Sequence, residues 1–122
     1  MRTPLKFLLV LLAFCASTVG TSTRLLAAEL ITPNDAIPNR YIVVLNDDAD
    51  TATADVQTRA QRRDDDAADL TRRHGGRAAH VYRRALHGFL ADMSREQARA
   101  MLRDRRVRFI EQDSVMRIAA TQ

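Results

Sequence analysis

Phe89-Leu90-Ala91-Asp92-Met93-Ser94-Arg95-Glu96-Gln97-Ala98-Arg99-Ala100-Met101-Leu102-Arg103-Asp104-Arg105-Arg106-Val107-Arg108-Phe109-Ile110 changes its apolar period twice. Phe89, Ala91 and Met93 alternate with Leu90 and Asp92, the period of a strand with one face in a core. Ser94 to Gln97 is a capping box: the serine oxygen takes the amide of Gln97, and the Gln97 side chain returns to the serine amide. Ala98, Met101 and Leu102 then share one face of a short helix. Val107 to Ile110 resumes strand character. The stretch therefore reads strand, helix, strand.

Outward toward the N-terminus, Arg77 to Tyr82 is the first strand of a hairpin, joined to the second through Ala85-Leu86-His87-Gly88. Gly75-Gly76 stops a long polar helix whose apolar positions are Val56, Ala60, Ala67 and Leu70, with Arg63 interrupting the stripe. Thr53 is its expected cap, Asp55 suits its first turn, and Arg72-Arg73 suit its last. Tyr41-Ile42-Val43-Val44-Leu45, bounded by Pro38-Asn39 and Asn46-Asp47-Asp48, is a strand whose unbroken apolarity predicts burial on both faces. The full order is strand, helix, strand, strand, helix, strand. That order predicts an α+β, ferredoxin-like βαββαβ fold, with both helices on one face of a four-stranded antiparallel sheet. The other face stays open. Tyr41 to Leu45 and Leu90 place apolar side chains on it, which marks a docking surface on so small a domain.

The first residues stand apart from this pattern. Arg2 and Lys6, the apolar run Phe7 to Ala16 and the small residues Ser17 to Gly20 have the layout of a secretory signal peptide. Its apolar core is too short for a permanent membrane span. Residues 1–28 are read as this leader, with cleavage between 17 and 28, and the product as secreted or periplasmic. Cys15, the one cysteine, follows the bulky Phe14, which disfavours lipid attachment there. Without the leader the chain has no cysteine, so no disulfide staples it. Removing Arg2, Lys6 and Arg24 from the 19 basic residues leaves 16 against 15 acidic ones, a net charge of +1. The basic balance of the whole chain is thus not a nucleic-acid footprint. Residues 29–38 are a lead-in, residues 39–113 the domain, and residues 114–122 a tail. A domain of roughly eighty residues is marginally stable alone.

Beyond Ile110 come two spaced carboxylates, Glu111 and Asp113, and then Ser114-Val115-Met116-Arg117-Ile118-Ala119. A mostly apolar peptide at the end of a small domain has no partner of its own and is offered to another molecule as an added strand.

At Ile37-Pro38-Asn39-Arg40-Tyr41-Ile42-Val43-Val44-Leu45, Gly75-Gly76, His80-Val81-Tyr82, Ala85-Leu86-His87-Gly88-Phe89 and Val107 to Asp113, the chain resembles the inhibitor I9 domain. That domain is the propeptide of subtilisin-like serine proteases (peptidase S8), and the resemblance is greatest to the proteinase K and aqualysin branch. It spans Ile37 to about Ala119. It implies the same split βαβ fold and a role as inhibitor and intramolecular chaperone of a subtilisin-like protease. It also implies roles for named residues: Glu111 and Asp113 cap two parallel helices of the protease, while Ser114, Val115, Met116, Arg117, Ile118 and Ala119 lie in its substrate cleft. The Ala119 carbonyl would face the catalytic serine, with Met116 in an apolar pocket and slow cleavage after Ala119. The chain stops at Ala119-Ala120-Thr121-Gln122, about where a precursor of that branch passes into its catalytic domain. The expectation is a free-standing inhibitor or chaperone acting on a separate subtilase, with a remnant of a truncated protease gene as the rival. One departure is Asp104-Arg105-Arg106, where the family commonly has Asp-Pro; losing the proline predicts a looser turn before the last strand.

Other chemistry is sparse. His74, His80 and His87 have no carboxylate at metal-ligand spacing, and Asp64-Asp65-Asp66 lacks the glycine and terminal glutamate of a calcium loop. His87, beside the hairpin, is a candidate for pH-sensitive binding. No nucleophile motif or phosphate loop is present, so neither catalysis nor a cofactor is expected. The alternative classes are a ferredoxin-like module for another ligand, such as RNA or a metal, and a structural envelope protein. RNA would need aromatic and basic residues interleaved on the central strands, where Tyr41, Tyr82, Phe89 and Phe109 are the candidates. The expected partner is the protease, with no nucleic acid and no stable membrane association after leader removal. The free domain is expected to be monomeric.

Overall fold

The computed structural model describes residues 28–47, 52–84 and 86–115. Seven elements follow in order: β1 (Glu29–Ile31), β2 (Ala36–Leu45), α1 (Val56–His74), β3 (Arg77–Tyr82), β4 (Gly88–Asp92), α2 (Arg95–Met101) and β5 (Val107–Ser114). The strands form one sheet in the order β1-β5-β2-β4-β3. From β2 onward this is the expected ferredoxin-like arrangement. The expected sheet is corrected in one respect: it has five strands and is mixed, because β1 runs parallel to β5 while the other pairs are antiparallel. Residues 29–38, expected as a lead-in, hold β1 and the start of β2. The physical reason is the outer edge of β5, a row of backbone groups that Glu29-Leu30-Ile31 satisfies. The chain then turns at Asn34-Asp35 and returns as β2 on the other side of β5. The Val115 amide donates to the Asp35 carbonyl at 3.2 Å, so this turn closes over the end of β5. The expected leader before Ala28, and Met116 to Ala119 of the tail, lie outside the described residues.

The core lies between the sheet and the two helices. Tyr41, Val43 and Leu45 of β2, Phe89 and Ala91 of β4, and Val107 and Ile110 of β5 meet Ala67 and Leu70 of α1 and Ala98 and Met101 of α2. Leu30, Ala78, Val81 and Leu102 pack around it. Two expectations for α1 change. Its cap is Asp55 rather than Thr53, because the Asp55 carboxylate takes both the amide and the hydroxyl of Thr58, at 2.9 and 2.6 Å. These bonds hold the Asp55 carboxyl below its ordinary range. Val56 is 75% exposed and contributes nothing to the core. Only Ala67 and Leu70 of this helix are fully buried, so its first half runs past the core. There the Arg63 guanidinium reaches the Arg83 carbonyl, and Arg83 pairs with Asp64.

Both helices end and begin as their local sequences require. Gly75 and Gly76 take φ of 87° and 91°, and a Cβ on Gly76 would lie 2.7 Å from that of Met93. A left-handed backbone against a packed strand end leaves room only for glycine. The capping box on α2 is complete, with Gln97 N–H to Ser94 Oγ at 3.1 Å and Ser94 N–H to Gln97 Oε1 at 2.8 Å.

The turn from α2 into β5 is not slack, although it lacks the proline. Arg106 donates its backbone amide and its guanidinium to Asp104, and the same guanidinium reaches Asp66 and Asp69 on α1 at 3.2 and 2.9 Å. Four side chains from two distant segments thus replace one ring. The Arg106 hydrogen bond, opposed by partial burial, holds the Asp104 carboxyl far below the usual carboxylate range. Asp69 is also lowered, first by its bond from Arg73 and then by Arg106.

A carboxyl depressed in the folded state stabilises it above its unfolded pKa, about 4, and that stability is lost as pH falls from there. Replacing Arg106 by Ala is therefore expected to cost about 2 kcal/mol at neutral pH. The gap from the parent chain should narrow by about 1 kcal/mol or more by about pH 2.5. Urea unfolding at the two pH values measures both quantities; a gap that is constant with pH would contradict the ion-pair account.

Candidate functional site

Alternation along each strand sorts the sheet into a covered face and an open one, and the register aligns the open-face residues in rows. One row reads Ile31, Glu111, Ile42, Leu90 and His80 across β1, β5, β2, β4 and β3. The next reads Glu29, Phe109, Val44, Gly88 and Tyr82. Neighbours in a row are close enough for side-chain contact. The middle of the open face is thus aliphatic and aromatic, with His80 and Tyr82 in an edge-to-face contact at 5.1 Å on the β3 side. A Cβ on Gly88 would fall 2.1 Å from the Val43 carbonyl oxygen, so β4 and β2 approach closely only because that position is glycine.

Which face each β5 residue takes depends on a bulge. Val44 pairs with Phe109 but Leu45 pairs with Val107, which leaves Arg108 as the extra residue. Val107 and Ile110 consequently both point into the core, while Phe109, Glu111 and Asp113 share the open face. Glu111 and Asp113 are half-buried, and neither makes an ion pair with another described residue. Asp113 takes the amide of Ser114 at 2.9 Å. At this same end of the sheet the charges on the neighbouring strands are matched: Asp92 of β4 lies 3.6 Å from Arg40 of β2 and 2.8 Å from Arg77 of β3. Ser114 and Val115 are exposed, Val115 at 55%, and stand where the tail leaves the sheet.

The structure therefore brings together Glu111, Asp113, Ser114 and Val115 of the expected site; Met116, Arg117, Ile118 and Ala119 fall outside the described residues. It adds Ile31, Tyr82 and Phe109, which the sequence alone did not assign to the open face. Phe109 could be placed only once the bulge was known, and Ile31 only once β1 had found β5. Tyr41 and Phe89 are core residues, so Tyr82 and Phe109 are the aromatic residues of the open face. The histidines are dispersed: His74 lies 3.4 Å from Asp104, His87 lies 3.3 Å from Asp47, and His80 is on the sheet. No group of three His, Cys, Asp or Glu side chains among the described residues is placed to hold a metal, and none of their helices is long and apolar enough to cross a membrane.

A small domain with one covered sheet face, one apolar open face and an acidic strand end defines a binding module. Residues 40–119 match the family model described as Peptidase inhibitor I9, and the chain belongs to that family. The match begins inside β2 and runs into the tail, so it takes in residues 40–45 of β2 and all of β3, β4 and β5, and β1 lies before it. Membership gives the chain the general role of a subtilisin-like protease propeptide or inhibitor, and a protease as its partner. No curated protein matches the chain significantly.

A charge placed on each face separates their roles. Phe109→Lys is expected to leave the far-ultraviolet circular dichroism of the domain folded, because the side chain can reach water from the open face. Phe89→Lys, at a position with 0% exposure, should abolish it. Equal loss in both variants would show that the open face is not open.

Proposed function

We propose that the domain inhibits, and assists the folding of, a secreted subtilisin-like serine protease of the proteinase K and aqualysin type. The observation that carries this reading is the alternation of Phe109, Glu111 and Asp113 on the open face of the strand that leads directly into the tail. Docking buries the apolar middle of the face, the half-exposed Ile42, Leu90 and Phe109 around the already buried Val44. Glu111 and Asp113 meet the starts of two helices on the protease, where unpaired amides and partial positive charge favour a carboxylate. Neither acid has an ion pair with another described residue to give up for this.

From Ser114 the chain enters the substrate cleft as an added strand, its backbone pairing with the enzyme and alternate side chains filling subsites. Met116 takes an apolar pocket, Arg117 and Ile118 follow, and the carbonyl of Ala119 faces the catalytic serine. Inhibition follows because the docked face holds the peptide in place before and after any cleavage. The same contacts account for chaperoning, since a protease domain that forms against this surface has part of its structure supplied. In return the protease stabilises the small domain, by about 4 kcal/mol at a thousand times the dissociation constant. Export by the leader in residues 1–28 places the domain in the periplasm or outside the cell, where such proteases act.

Inhibition of a proteinase K-like subtilase by residues 29–122, compared with a chain ending at Asp113, tests this. The longer chain should inhibit tightly and the shorter at least a hundredfold more weakly, a difference of about 2.7 kcal/mol. Equal inhibition by the two would remove the tail from the mechanism, and no inhibition by either across several subtilases would reject the reading. Glu111→Gln combined with Asp113→Asn should weaken binding by about tenfold or more, and the difference should shrink at high salt. Prolonged incubation with active enzyme should release Ala120-Thr121-Gln122, seen as a loss of mass; an intact tail would contradict the assigned register.

A further inference from the structure

We infer that β1 is a fifth docking strand and that Ile31 contacts the protease beside Glu111; this rests on the proposed docking of the open face. The family match begins at residue 40, inside β2, and does not include β1. Yet β1 aligns with β5 in a register that puts Ile31 beside Glu111, on the side away from Ile42. The carboxylate therefore stands between two isoleucines on adjacent strands. Alternation divides the work of the short strand: Leu30 packs against the core, while Ile31 remains 38% exposed on the open face.

A strand needed only to close the edge of β5 would be served better by a polar residue at that position, because exposed edges are usually protected by charge. An isoleucine there gives the row an apolar residue on each side of Glu111, with Ile42 and Leu90 continuing it to β4. Against a protease surface it forms part of a ring that excludes water from Glu111, and a charge contact gains strength when water is kept from it. Glu29, beside Phe109 in the next row, places a third acid on the same side of the face as Glu111 and Asp113. The partner is thus the protease itself, on the helix-start surface that Glu111 meets, extended by the width of one strand.

The test measures inhibition constants and thermal midpoints of residues 29–122 carrying Ile31→Ala, Ile31→Thr or Ile31→Arg, each alone and combined with Glu111→Gln. Ile31→Thr keeps a β-branched residue in the strand and guards against loss of β1. The expected result is about fivefold to tenfold weaker inhibition for Ile31→Ala and a larger loss for Ile31→Arg. Midpoints should stay unchanged, and the effect of Ile31→Ala should fall at least threefold once Glu111 is Gln. If Glu111→Gln weakens inhibition but the Ile31 variants inhibit like the parent chain, the inference is overturned while the docking reading stands. If inhibition merely follows the midpoints and no coupling to Glu111 appears, β1 serves stability alone and the inference is equally overturned. If the parent chain inhibits no subtilase, the docking reading fails and this inference with it.

Discussion

The interior position of the last strand is the constraint on which the rest depends. β5 pairs with β2 on one side and β1 on the other, and its end is held where Val115 meets the Asp35 carbonyl. The Gln112 side chain adds a bond to the Ile37 carbonyl at 2.9 Å. Register is therefore specified along the whole of Val107–Ser114. A slip by one residue would turn Glu111 and Asp113 toward the core, where an unpaired carboxylate is far more costly than any contact it could make. The bulge at Arg108 sets that phase, keeping Val107 and Ile110 inside and Phe109 outside.

The entry to the same strand is held by charge. Arg106 gathers Asp104 from its own turn and Asp66 and Asp69 from the helix above, so the start of β5 is tied to α1 as well as to its neighbours in the sheet. This is a different solution from the Asp-Pro turn common in the family. A proline restricts the unfolded chain, whereas the arginine cluster stabilises the folded one and depends on pH. Its location on the covered side of the sheet keeps it away from the open face.

Much of this was legible in the sequence because the signals are local. The capping box at Ser94 and Gln97, the Gly75-Gly76 stop and the alternation of Phe89, Ala91 and Met93 each announce an element through neighbouring residues. What was hidden depends on partners remote in sequence. Glu29-Leu30-Ile31 is too short to read as a strand until β5 lies beside it. Arg106 reads as one of a run of arginines until the fold brings Asp66 and Asp69 to it. Asp55 and Thr53 are both plausible caps, and the bond from Thr58 decides between them. On the site, Glu111 and Asp113 were visible as a spaced acidic pair at a strand end. Phe109, between Arg108 and Ile110 in an apolar run, carries no mark of its face until the bulge is known.

Family membership makes a protease the partner, and the proposed function has it meet the open face of the sheet. Hydroxyl-radical labelling of the free domain and of its complex with an inactivated subtilase tests that claim most directly. The account predicts that Tyr82, Leu90 and Phe109 lose labelling in the complex while Val56, on the far end of α1, keeps it. Protection of Val56 and the outer helix surface, with Tyr82, Leu90 and Phe109 still labelled, would place the protease on the wrong side of the sheet and contradict it.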